Sequence, residues 1–271
     1  MKKNYLLPLL LIVACSCNQR TGNKDDDQST NAVHSEEWIQ LFNGKDLEGW
    51  TIKMAKHPLG ENFNNTFRVE DGMMKIRYDE YETFDGEYGH IFYKTPYSHY
   101  KLRVEYRVAG EQVSGGEEWA IKNNGVMFHA QSPESMFLDQ DFPVSLEAQL
   151  LGGLGEGPRP TGNLCTPGTN VVMNGELITQ HCINSSSPTF DGDQWVQFEL
   201  VVYGDSIIHH LVNGDTVLTY EKPTVGGGNK PDNYPVPDGT PVASGFIAFQ
   251  AESGPFDFRK VELLDLSGES N

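Results

Sequence analysis

Alternation of apolar and polar side chains is the dominant pattern of the chain. Lys101-Leu-Arg-Val-Glu-Tyr106 places Leu102, Val104 and Tyr106 on one face, and Gln197-Phe-Glu-Leu-Val-Val202 does the same through Phe198, Leu200 and Val202. A period of two is that of a half-buried β-strand. Ser206–Val212 and Thr216–Tyr220 flank Asn213-Gly214, and Phe67–Glu70 and Met73–Ile76 flank Asp71-Gly72. Such dipeptides between strands predict hairpins. Arg259–Leu266 predicts a closing strand. Beyond the amino-terminal apolar run, no segment holds a helical apolar period over three turns. Many short strands between turn signals predict an all-β sandwich or barrel.

Three further strands carry polar side chains where a packing face should be apolar. In Ser145-Leu-Glu-Ala-Gln-Leu-Leu151, Glu147 and Gln149 share a face, as do Gln250 and Glu252 in Phe246-Ile-Ala-Phe-Gln-Ala-Glu252. In Gly125-Val-Met-Phe-His-Ala-Gln131, Met127, His129 and Gln131 alternate against Val126, Phe128 and Ala130. Buried carboxylates are costly unless paired, hydrogen-bonded or in use, so these strands predict a ligand site. If the three are neighbours, His129, Gln131, Glu147, Gln149, Gln250 and Glu252 converge. Trp119, just ahead of the third, would supply an apolar platform for a sugar ring. Glu147 also has a structural reading, as the partner of a buried Arg such as Arg103, and His129 one as a hydrogen-bonded core histidine. His209 and His210 face opposite ways beside a hairpin and are assigned to no site.

The chain opens as a targeting segment. Lys2 and Lys3 precede an apolar run from Leu6 to Ala14 that is too short to span a bilayer. Leu11-Ile-Val-Ala-Cys15 fits a bacterial lipoprotein signal, which predicts removal of residues 1–14 and lipidation of Cys15, with Cys17 the alternative. Residues 15–37 are polar and aperiodic, as in a disordered tether. Residues 38–271 suffice for one large β-sandwich. The expected location is the cell envelope, lipid-anchored, facing the periplasm or the cell surface.

Without the signal, 18 basic residues stand against 38 acidic ones, a formal charge of −20. That surface repels nucleic acid and anionic membranes and suits a neutral ligand. Cys165 and Cys182 remain, and in an exported protein such a pair predicts a disulfide, closing a loop rich in Gly, Asn and Thr. Gly152–Thr169 and Pro223–Pro241 are long loops rich in Gly and Pro, of the kind that form sites. Asp139 and Asp141 have the spacing of a calcium loop, which would admit a structural calcium, and no cofactor or other metal is expected. Oligomeric state is not legible.

The chain has no Gly-x-Ser-x-Gly elbow, phosphate-binding loop or His-Glu-x-x-His. A retaining glucanase sandwich would present Glu-x-Asp-x-x-Glu on one strand. The corresponding stretch here, Glu147-Ala-Gln149-Leu-Leu-Gly152, lacks the further carboxylates, which disfavours double displacement.

Leu41-Phe-Asn-Gly-Lys-Asp-Leu-Glu-Gly-Trp50 resembles the opening of the 3-keto-disaccharide hydrolase family, and Glu147-Ala-Gln-Leu150 resembles its Glu-Val-Gln-Ile/Leu strand. Asn124-Gly-Val126, Asp193-Gln-Trp195 and Gly245-Phe-Ile-Ala-Phe-Gln250 extend the resemblance over most of residues 41–266. It implies a concanavalin A-like jelly-roll sandwich. It also implies an enzyme acting on 3-keto-glycosides, in which a base removes the proton on C2 and the C1 substituent leaves by β-elimination. On that reading Glu147 is the base, Gln149 and His129 are donors or acid, and Glu252 and Gln250 hold sugar hydroxyls. The roles of base and acid could be exchanged among Glu147, His129 and Glu252. The competing readings are a lectin-like saccharide-binding lipoprotein and a structural envelope lipoprotein.

Overall fold

The computed structural model describes residues 37–268. The signal peptide, Cys15 and nearly all of the tether lie outside the described residues. In chain order the strands are β1 (Ile39–Gln40), β2 (Trp50–Met54), β3 (Phe67–Glu70), β4 (Met73–Ile76), β5 (Gly89–Tyr93) and β6 (His99–Val108). There follow β7 (Asn123–Ala130), β8 (Leu146–Leu151), β9 (Asn163–Cys165), β10 (Thr169–Met173), β11 (Glu176–Ile178) and β12 (Cys182–Ile183). The last are β13 (Val196–Tyr203), β14 (Ile207–Val212), β15 (Asp215–Val225), β16 (Phe246–Ala251) and β17 (Phe256–Asp265). The only helical pieces among the described residues are short 3-10 turns.

Two antiparallel sheets result. The ten-stranded sheet runs β11-β10-β15-β14-β13-β6-β17-β4-β3, with β1 on β17, and the seven-stranded sheet runs β12-β9-β8-β7-β16-β5-β2. Their facing sides form one core. Tyr100, Leu102, Val104 and Tyr106 of β6 and Phe198, Leu200 and Val202 of β13 meet Val126, Phe128, Leu146, Ala148, Leu150, Ile247 and Phe249. The fold is a concanavalin A-like jelly-roll sandwich, as expected.

The expected hairpins at Asp71-Gly72 and Asn213-Gly214 form, with Asp71 and Asn213 both at positive φ. The closing strand starts at Phe256, ahead of where its alternation suggests. A bulge between Phe258 and Lys260 lets Phe256, Phe258, Val261 and Leu263 all point inward despite the broken period. The segment between the two cysteines also differs from a plain loop. It holds the β10–β11 hairpin, turned at Asn174-Gly175, both at positive φ, and β10 joins the ten-stranded sheet through β15. Short strands with a single apolar face residue or two leave little periodic signal.

Candidate active site

The three polar strands are neighbours: β8 pairs with β7, and β7 with β16. Their register makes a polar row across the outer face of the seven-stranded sheet. Lys53 lies opposite His90, His90 opposite Gln250, Gly125 opposite Gln149, and Gln149 opposite Asn163. Gly125 is the gap in that row. A Cβ there would collide with Gln250 Oε1 and the Glu147 carboxylate, so both side chains lean together over a bare backbone. Glu147 itself is opposite Met127 on one side and Cys165 on the other. Glu252 follows β16 by one residue, and its turn is pinned where the Ser253 N–H donates to Tyr78 Oη at 2.8 Å.

Glu147 and Glu252 are both buried, and neither makes an ion pair with any described residue. Arg103, the structural partner considered for Glu147, is on the other sheet with Glu199 and Glu262. Burial pushes the Glu147 carboxyl up to about 8, with the adjacent Gln250 amide pulling the other way. Burial pushes Glu252 well above the carboxylate range, and the Glu147 charge adds to it. Two buried carboxyls that raise each other's pKa do not both ionise near neutrality, so one can act as a proton donor beside a potential base. Glu252 Oε2, Asn123 Oδ1 and both amide atoms of Gln250 lack a hydrogen bond of ordinary geometry. Gln149 is held, since Asn163 Nδ2 donates to its Oε1 at 3.0 Å.

A cavity of about 350 Å³ opens over this face, lined by Glu147, Gln149, Asn123 and Glu252 together with Trp119, Phe142, His181 and the Cys165–Cys182 disulfide. The disulfide joins directly opposed residues of β9 and β12, so its sulfurs form a fixed apolar wall beside Glu147. Trp119 stacks on Tyr88 with ring centroids 6.0 Å apart, and Tyr88 packs against Phe142 at 5.2 Å. Burial first, and then the charges of Glu252, Glu117 and Asp141, push the Tyr88 hydroxyl up to about 12, so it stays a donor. Phe142 and Asn229 are shared with a second cavity of about 570 Å³ that also takes in Asp139, Asp141, Lys230 and Asn233. The long loops are ordered around the first cavity: Arg159 donates to Gly152 O and Ile121 O, and Asn229 lies 3.5 Å from His181 Nε2.

Of the expected residues, Glu147, Gln149, Glu252 and Trp119 line the cavity, and Gln250 is buried just beneath it, beside Glu147 over Gly125. His129 does not reach it. A bulge where β7 meets Phe246 and Ala248 of β16 puts His129 at positive φ and turns its ring inward. There His129 Nε2 contacts Gly204 O of the facing sheet at 3.1 Å and packs edge-on to Tyr100, and burial lowers its pKa to about 4. It is a core histidine. Gln131 is also outside the cavity: its side-chain oxygen accepts from Gln140 Nε2 and the Val144 N–H, clamping the 131–144 loop. Asp139 and Asp141 face the second cavity. The triad of ligand-type side chains close enough to share an ion, among the described residues, is Cys165, His181 and Cys182, whose sulfurs are already joined to each other. Asn123, Tyr88, Phe142, His181 and Asn229 join the site without having been marked by the sequence pattern. Asn123 is within reach of it, because extending the alternation of β7 two residues back puts it beside Gly125.

The 3-keto-alpha-glucoside-1,2-lyase-like domain matches residues 37–264, and the chain belongs to that family. It is therefore placed among carbohydrate-active hydrolases and lyases. Among solved structures, it is similar to a provisionally named glycosyl hydrolase from Parabacteroides distasonis ATCC 8503, at 20% identity, with 86% of this chain and 95% of that one covered and a TM-score of 0.53. A second such protein from the same organism matches at 17% identity over 85% of this chain and all of that one, with a TM-score of 0.51. At these identities the likeness bears on the fold. No curated protein matches.

Proposed function

We propose that this cavity cleaves 3-keto-glycosides by elimination. A ketone at C3 acidifies the C2 proton, because the anion left behind spreads onto the carbonyl oxygen. Glu147, ionised, takes that proton. The C1–O bond then breaks, its electron pair leaving with the oxygen, and protonated Glu252 supplies the proton that oxygen needs. The products are a 2-hydroxy-3-keto-glycal and the free alcohol; addition of water to the glycal gives net hydrolysis. Gln250, Gln149 and Asn123 hold oxygens of the sugar, and Trp119 and the disulfide flank its apolar faces. The observation that carries this reading is the Glu147–Glu252 pair: two buried carboxyls with no cation, pushed up by burial, facing one cavity. A structural pair would be neutralised by an Arg or Lys, and a lectin that uses carboxylates to accept from sugar hydroxyls has no need of acids held above the ordinary carboxylate range.

The amino-terminal lipoprotein pattern supports a protein tethered in the cell envelope through Cys15, where small glycosides are met. The test is to incubate the protein with a 3-keto-glucoside and with its unoxidised parent, following alcohol release and enone absorbance. Release from the keto form alone is expected. Cleavage of both would point to ordinary glycosidase chemistry, and tight binding without cleavage of either would make the protein a lectin.

A further inference from the structure

The polar row continues beyond the open cavity to a group the proposed chemistry has not used. His90 is directly opposite Gln250, is fully buried, and has no hydrogen bond at either ring nitrogen. It is not a core histidine of the usual sort. His210, equally buried on the inner face of the other sheet, has both nitrogens engaged, by Gly162 O and Tyr220 Oη, and the core histidine His129 has one engaged, by Gly204 O, and Nδ1 unpaired, whereas His90 has neither engaged. Lys53, the next residue in the row, does not serve His90 either, since its ammonium donates to Met54 O, His57 O and Leu138 O. A polar group left unpaired in the interior costs stability. One that persists beside an active centre points to a partner that arrives with the substrate.

Between His90 and the cavity stands the ring of Phe142, which lines the cavity and contacts the imidazole. Phe142 lies edge-on to the His90 ring, with centroids 5.9 Å apart, and packs on Tyr88 at 5.2 Å. With Asn229 it is also shared by the two cavities. Its backbone is fixed, because Gln140 Nε2 donates to Phe142 O at 2.7 Å and Gln140 is itself clamped by Gln131. Phe142 can therefore uncover His90 by rotating its ring without any loop opening. Side-chain rotations of this kind are small, fast motions.

We propose that His90 is a substrate-contacting residue of the 3-keto-glycoside site, covered by Phe142 in this structure and uncovered by rotation of that ring, and that it holds an oxygen of the sugar unit together with Gln250. This rests on the saccharide reading above. The imidazole suits the role chemically. Burial, reinforced by the Lys53 charge, holds its pKa down at about 3, so it stays neutral and offers one N–H donor and one acceptor. Beside a carboxylate base, a neutral imidazole can polarise a sugar carbonyl by donating its N–H to the oxygen, without carrying a charge that would quench the base.

The Glu147→Gln protein, which should bind without turning over, is labelled with ¹⁵N-histidine and titrated with a 3-keto-glucoside. Calorimetry reports saturation and long-range ¹H–¹⁵N spectra report the ring nitrogens. The His90 nitrogens are expected to shift on saturation while those of His129 and His210 stay in place. In the wild-type background, His90→Leu is expected to raise KM by roughly tenfold to a hundredfold and to raise Tm, because it removes an unpaired polar group. Phe142→Ala is expected to make His90 reactive toward diethyl pyrocarbonate, with the sugar protecting it. Saturation with unmoved His90 resonances, or His90→Leu with unchanged KM, would overturn the proposal and leave the saccharide reading standing. A flat isotherm would remove the saccharide reading, and this proposal with it.

Discussion

The two outer faces of the sandwich handle buried charge in opposite ways. On the ten-stranded sheet buried charges meet their opposites. Asp257, 1% exposed, sits between Arg77 and Arg107, and Arg103 reaches Glu199 at 2.5 Å and Glu262 at 2.8 Å while lying over Trp38. On the seven-stranded sheet Glu147 and Glu252 are comparably buried with no cation, and Gln250 and His90 beside them lack hydrogen bonds of ordinary geometry. The same β-pleat builds both faces, so the difference lies in what the strands deliver. One face presents complementary charges at opposed positions, the other presents two acids around a glycine gap at the floor of a cavity. Paired charge marks architecture; unpaired burial marks a place where stability is held below what the fold could reach.

Exchanging one residue on each face should separate these roles most clearly. Glu147→Gln is expected to lower turnover on the order of a thousandfold with saccharide binding retained, since a positioned base contributes roughly that much. Its stability should not fall. A folded-state pKa raised to about 8 means that wild type has its full stability below the unfolded carboxyl value and loses it as pH rises through about 8. The variant escapes that loss, so its Tm should exceed wild type by more at about pH 9 than at about pH 5. Asp257→Ala is expected to do the reverse: about 3 kcal/mol of stability lost, because Arg77 and Arg107 are left facing each other unpaired, with KM unchanged. Chemical denaturation and initial rates read both. Equal loss of stability at the two positions would erase the distinction.

Much of this was legible from the chain. Period-two alternation located β6, β13 and the hairpins, and the shared faces of Glu147 with Gln149 and of Gln250 with Glu252 hold in the structure. His129 failed because alternation assumes an unbroken pleat, and one bulge opposite Phe246–Ala248 reverses its direction. Gly125 could not announce itself, since a missing side chain has meaning only once Glu147 and Gln250 are seen to meet over it. Phe142, His181 and Asn229 come from loops, where no period links sequence position to direction. His90 lies on a strand buried throughout, Gly89–Tyr93, whose outer side is covered by the 131–144 loop, so nothing in its spacing distinguishes it from core.

A smaller effect sharpens the acid–base assignment. Because Glu147 must be ionised to act as base, kcat/KM is expected to rise with pH through an apparent pKa of about 8 and to fall again where Glu252 loses its proton. Gln250→Leu removes the one neighbour that favours the Glu147 anion, so the rising limb should move to higher pH. A rate independent of pH between about 6 and about 9 would mean that neither carboxyl titrates in the productive complex. An unmoved limb in Gln250→Leu would detach Gln250 from the base.

The smallest expected change tests whether the open side of the cavity is used at all. Trp119 is 51% exposed and makes its main ring contact with Tyr88. It therefore contributes little to folding, and Trp119→Ala should alter stability by only about 0.5 kcal/mol. If a sugar ring stacks there, the same substitution costs on the order of 1 kcal/mol of binding, a severalfold rise in KM with kcat unchanged. A fall in kcat would mean that Trp119 orients the reacting carbon. An unchanged KM would confine recognition to the floor beneath it, and the polar row from Asn163 to Gln250, with His90 once Phe142 turns aside, would then have to account for all of it.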